Sequence, residues 1–198
     1  MKLAILMNRG AGALSLDDLY YADGDAASER FLVAASSASS AADRLKDAVI
    51  GRFGIDGARR SGFALPDRAK AENDLRQMGD RALAYVDKLV VTIDGDHATL
   101  TAPPGEAAGR PVRLRRIGGV WKLRFADVSG GVELRGDFPG YRQPVATLES
   151  FRLAAARDAD LATAVRAGRF DSADAVRAAR AERSRAIVTE LDRFKVPD

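Results

Sequence analysis

The chain has 198 residues, 46% hydrophobic and 30% charged, with a formal net charge of +3. That balance belongs to a globular protein with a buried core and excludes disorder as its main state. There is no cysteine and one histidine, His97, which excludes disulfide frameworks, thiolate chemistry, histidine-rich metal centres and any site needing two imidazoles.

The first element is the opening MKLAILMNRGAGALS. Its apolar run, Leu3 to Met7, is shorter than the roughly 7–15 residues of an export signal. A cytoplasmic location is therefore expected, unless the true start lies upstream. No apolar run approaches the ~18 residues needed to span a bilayer, so no membrane partner is expected. Residues 1–12 resemble the first strand and glycine turn of diacylglycerol-kinase-like lipid kinases. In that reading Gly10 and Gly12 free backbone N–H groups for a phosphate. A nucleotide fold would need a second buried strand soon afterwards. The stretch GRFGIDGARRSGFALP at 51–66 contains none, and the kinases' second glycine motif is missing. The expectation is a short terminal helix or strand with a loose loop.

The segment LDDLYYADGD lacks the acid spacing of a calcium loop. Its acids read as helix-flanking residues, with Tyr20 and Tyr21 as aromatic anchors near a pocket mouth. From Asp25 to Arg52, Phe31, Ala35, Ala38, Ala42, Leu45 and Val49 recur at helical spacing. Asp25 or Ser28 can cap this helix, and Gly51 or Gly54 can end it. The run AASSASSAA lies inside that stripe, so it reads as a closely packed helix face rather than a linker. Pro66 suits the first turn of a second helix carrying Leu75, Met78 and Ala82.

The period then changes. DKLVVTIDGDHATLTA reads as a hairpin turning at Asp94-Gly95, with Val91 opposite Ala98, Leu89 opposite Leu100, and Thr92 opposite His97. PVRLRRIGGVWKLRFADV reads as a second hairpin turning at Gly118-Gly119. Its register sets Leu114 against Leu123, Arg116 against Trp121, Val112 against Phe125, Arg115 against Lys122 and Arg113 against Arg124. An apolar face and a basic face separate cleanly, as a pleated strand requires. Two helices follow. One carries Leu148, Phe151, Ala155, Leu161 and Val165 up to Gly168. The other, capped by Asp171 or Ser172, carries Val176, Ile187, Leu191 and Phe194.

Gly95-Asp96, Ala98 and Gly119-Val120-Trp121-Lys122, set in helices followed by two hairpins, resemble the nuclear transport factor 2-like superfamily, with its SnoaL-like and ketosteroid-isomerase-like members. The resemblance covers residues 25–130. It implies an α+β fold in which N-terminal helices pack in a curved, cone-like antiparallel sheet, often around a pocket. Residues 1–24 would be an N-terminal segment and 145–195 a C-terminal helical extension. Catalytic members place acids, tyrosine or histidine inside the cone. Here the apolar face carries Leu89, Val91, Ala98, Leu100, Val112, Leu114, Leu123 and Phe125, a packed core more than a proton-transfer site.

The functional expectation is a non-catalytic binding or scaffold module, with Tyr20, Tyr21, Arg116 and Trp121 as candidate ligand-binding residues for a small apolar molecule. No catalytic residue, metal or cofactor is assigned, and a homodimer is compatible. The alternatives are an isomerase, dehydratase or hydrolase using a tyrosine and a carboxylate, and a polyanion-binding protein using Arg113, Arg115, Lys122 and Arg124. From Ala107 to Ala126 there are six basic residues and no acid. Like charges across a sheet repel, so acids of the C-terminal helices (Glu149, Asp158 or Glu190) are expected to cover this face. No aromatic residue interleaves the basic ones on it, which argues against single-stranded nucleic acid. His97, on the same face beside a turn, reads as solvated surface.

Overall fold

The structure is a computed structural model that describes residues 16–65, 88–103, 111–128, 142 and 145–196. The opening with Gly10 and Gly12, the helix expected from Pro66 and Arg110 lie outside the described residues. The fold is α+β. In chain order come α1 (Leu16–Leu19), β1 (Tyr20–Tyr21), α2 (Ala26–Arg60), β2 (Val90–Asp94), β3 (His97–Thr101), β4 (Val112–Ile117), β5 (Val120–Arg124), α3 (Phe125–Val128), α4 (Val145–Arg166) and α5 (Ala173–Leu191). A single 3-10 turn, Asp192–Phe194, follows α5.

The five strands form one sheet in the order β1-β5-β4-β3-β2. It is mixed rather than wholly antiparallel, because β1 pairs parallel to β5, Tyr20 opposite Leu123 and Tyr21 opposite Arg124. Parallel neighbours need a long connection, and the chain between β1 and β5 supplies one. The second hairpin has the expected register, Leu114 with Leu123, Arg115 with Lys122 and Arg116 with Trp121. Gly118 and Gly119 both have positive φ, 60° and 82°, as a two-residue type I′ loop demands. Strand β5 ends at Arg124, so Phe125 starts α3 instead of facing Val112.

The first hairpin turns one residue later than expected. Val91 pairs with Leu100, Ile93 with Ala98 and Asp94 with His97. An Asp94-Gly95 loop of type I′ would force positive φ on both residues. The observed loop asks it of its first residue alone, Gly95 at φ 55°, and Asp96 stays out of the left-handed region. That glycine-first pattern suits type II′. The slip changes partners but not faces, since each strand keeps its inward and outward residues.

Two compact units divide the chain: residues 1–32 with 66–132, and residues 33–65 with 133–198. In the first, the sheet buries Ala98, Leu100 and Leu114, with Leu89, Val91, Val112, Trp121 and Leu123 half-buried around them. Trp121 therefore flanks this core rather than filling it. Phe125 stacks on Phe31 at 5.2 Å and meets Tyr20 edge-on at 5.7 Å, a favoured geometry for aromatic pairs.

The second unit is helical. Leu45, Ala48, Val49 and Ala58 of α2 share a core with Leu161, Ala162 and Val165 of α4 and Val176 of α5. Asp25 caps α2, accepting hydrogen bonds from the Ala27 and Ser28 backbone N–H groups. Helix α2 runs eight residues past Arg52, to Arg60, and Gly54 (φ 72°, ψ 180°) breaks it internally. Its true end and that of α4 share one device. Gly62 and Gly168 take positive φ, and the following N–H groups of Phe63 and Arg169 reach back to Ala58 and Ala164. Both are Schellman caps. Ser172 caps α5 through the Ala175 N–H.

Candidate functional site

Alternation sorts the sheet's side chains by chemistry. One face carries Val91, Ile93, Ala98, Leu100, Val112, Leu114, Trp121, Leu123 and Tyr20, with Arg116 beside Trp121. The other carries Thr92, Thr99, His97, Arg113, Arg115, Lys122, Arg124 and Tyr21. The four ligand-binding candidates are thus divided. Tyr20, Arg116 and Trp121 share the apolar face, and Tyr21 goes to the basic one.

On the basic face the decisive residue is Asp127, in the helical turn after β5. Its side chain is 8% exposed. It accepts hydrogen bonds from the Arg113 backbone N–H (2.9 Å), Arg113 Nε (2.9 Å), Arg113 Nη2 (2.7 Å) and Arg124 Nη1 (3.3 Å). The Nε–Nη2 fork is the bidentate geometry at which arginine binds carboxylate best. Arg124 Nε also lies 2.8 Å from Asp23 Oδ2, an ion pair without hydrogen-bond alignment. Two cations and two anions therefore close on each other around Tyr21.

The protonation states follow. Hydrogen bonding from the Arg113 guanidinium holds the Asp127 carboxyl below its ordinary value, against the opposing effect of burial. The Tyr21 phenol is pushed up, first by burial and then by Asp23. At neutral pH the cluster thus holds a protonated phenol beside a carboxylate whose lone pairs are taken. The phenol can donate a hydrogen bond, and Asp127, held by the arginine fork, is poorly placed to accept a proton.

The source of this neutralisation differs from the sequence expectation. Asp127 and Asp23 supply it, two acids close to the strands, and the C-terminal acids have other partners. Glu149 is held by Arg152 and Arg193, Asp158 by Arg157 and Arg180, and Glu190 acts on Arg152. Asp127 stood immediately after the basic run and Asp23 among the helix-flanking acids, where no local pattern marked either as an arginine partner. Arg115, exposed, lies between His97 and Lys122 in one cross-strand row. Arg116 makes no cation–π contact with Trp121; its Nε turns toward the Gly119 carbonyl oxygen at 3.5 Å. Among the described residues no group of acids and histidine could hold a metal ion, and no helix is long and apolar enough to cross a membrane.

Comparison of the chain with protein-family models, with curated proteins and with solved structures found no match.

Proposed function

We propose that the chain is a non-catalytic binding module of the nuclear transport factor 2-like kind, whose apolar sheet face takes a small apolar ligand. One observation carries this reading: the sheet separates its chemistry by face. Tyr21, Asp23 and Asp127 lie with the arginines, and the Arg113 fork holds Asp127; Tyr20, on the apolar face, has no carboxylate of this cluster beside it in the sheet. A general base must be able to accept a proton near neutral pH, and a carboxylate held by an arginine fork is poorly suited to that. The other face offers half-buried Val91, Val112, Trp121 and Leu123 around a small buried centre. Ligand sites are commonly lined this way, apolar with a few polar handles. Arg116, beside Trp121, would be such a handle.

Pairing also weakens the polyanion reading. Two of its four cations, Arg113 and Arg124, already have carboxylate partners.

Trp121 is the sole tryptophan, so its fluorescence reports on this face directly. Titration with 1-aminoanthracene, a neutral apolar probe, is expected to quench it saturably, with a dissociation constant on the order of 10 µM. Val112→Asp should remove that binding. Absence of quenching, combined with heparin binding that falls steeply as salt rises, would replace this reading with the polyanion one.

A further inference from the structure

The helical unit contains a cleft of about 280 Å³, set where the Schellman turn ending α2 meets α4 and α5. Among the described residues, Ser61, Arg157, Arg177, Arg180 and Ser184 line it, and no acid does. Directly behind the wall sits Asp158, 2% exposed. Arg157 binds Asp158 through Nε (2.7 Å) and Nη2 (3.0 Å), and its Nη1 donates to Ser184 Oγ at 2.8 Å. Ser184 Oγ in turn donates to the Arg180 carbonyl oxygen at 2.7 Å. Arg180 Nε lies 3.6 Å from the same Asp158 carboxylate, and its guanidinium sits 4.9 Å over the Phe63 ring.

Two consequences follow. First, three arginines face one carboxylate, a surplus of two positive charges. Arg177 at the rim is exposed, but the Arg157 and Arg180 side chains are 14% and 28% exposed, so their charge is largely withdrawn from water. Uncompensated charge in such a setting is costly and favours an anion. Second, two guanidinium groups are held before any ligand arrives. Asp158 and Ser184 orient Arg157, and Phe63 with Asp158 orients Arg180. Their remaining N–H groups, and those of Arg177, have no protein acceptor among the described residues. Asp174, one turn before Arg177 on α5, makes no ion pair with it. Prior positioning lowers the ordering cost of binding.

We propose that this cleft binds the phosphate group of a small phosphorylated molecule. A phosphomonoester carries close to two negative charges near neutral pH, matching the surplus, and its oxygens suit the planar arginine fork. The volume leaves room for a small organic group on the phosphate. This site belongs to the helical unit and does not depend on the reading of the sheet.

The test is calorimetric titration of the full chain with glycerol phosphate and, separately, with inorganic phosphate. Glycerol phosphate is expected to bind at one saturable site, more tightly than inorganic phosphate. Arg177→Ala should weaken it about tenfold or more, and Arg180→Lys should weaken it too, because lysine lacks the fork. Arg115→Ala removes the same charge from the sheet unit and should change affinity less than about twofold. Arg177 has no partner to lose, so its variant should melt like the parent without phosphate, which separates lost binding from lost folding. Absence of saturable binding, an equal loss in the Arg115 and Arg177 variants, or tighter binding of inorganic phosphate would each overturn the proposal.

Discussion

Asp127 governs the electrostatics of the sheet unit. Without it, Arg113 and Arg124 would face each other's charge across neighbouring strands. With it, they become parts of one hydrogen-bonded cluster, and the backbone N–H of Arg113 joins them. Replacing Asp127 by Asn keeps the shape and removes the charge. The expected cost at pH 7 is about 1–2 kcal/mol, because Arg113 is half exposed and solvent screens part of the interaction. The sign of the pH dependence follows from the lowered carboxyl. A depressed folded-state value adds stability that is fully present above the ordinary carboxylate range, near pH 4, and is lost as pH falls through the folded value. The difference between parent and Asp127→Asn should therefore shrink below about pH 4. Urea unfolding at pH 7 and pH 3 measures it, and a difference that stays constant would contradict the assigned pairing.

Among the elements, α2 shows how one residue type can have opposite effects along a single helix. Gly51 is helical, and an added Cβ would meet open space. Ala there should stabilise by about 0.4–1 kcal/mol, since glycine loses more backbone freedom on folding. Gly54, three residues on, also has open space, but its φ 72° and ψ 180° lie where L-residues are strained. Gly54→Ala should cost about 1–3 kcal/mol. Gly57 is different again, because an added Cβ would overlap the Phe53 side chain across the break. Thermal melts of Gly51→Ala and Gly54→Ala should shift in opposite directions. A shared direction would mean that the break at Gly54 is not part of the native state.

The described residues build two cores, one in each unit, with no buried residue in common. Leu114 is 1% exposed in the sheet core and Leu161 fully buried in the helical one. Each leucine-to-alanine change should cost about 2–5 kcal/mol through lost transfer energy and a residual cavity. Local opening follows local stability. Leu114→Ala should therefore speed amide exchange first in β3, β4 and β5, and Leu161→Ala first in α4 and α5. Exchange rising equally everywhere in both variants would show a single cooperative unit instead.

What the sequence determined by itself was local. The N-caps of α2 and α5 were each narrowed to two nearby candidates, while helical stripes, the Gly168 stop, the Gly118-Gly119 turn and the sorting of strand faces follow from periodicity and positive-φ demand. Both are settled within a few residues of chain. The α+β class followed from the order of those elements. Tertiary structure decided which distant groups meet. Arg113 and Asp127 are 14 positions apart, and the Ser61 hydroxyl, within reach of the Ala173 carbonyl oxygen, is 112 positions from it. An arginine reads the same in sequence whether its partner is the acid beyond its hairpin or one on a distant helix. The first hairpin slipped for a related reason: Asp94-Gly95 and Gly95-Asp96 both offer good turns, and strand pairing beyond the loop selected between them. The arginine cleft lay furthest from view. Its residues come from α4, α5 and the turn that ends α2, and its surplus charge exists because folding buries one carboxylate among three cations.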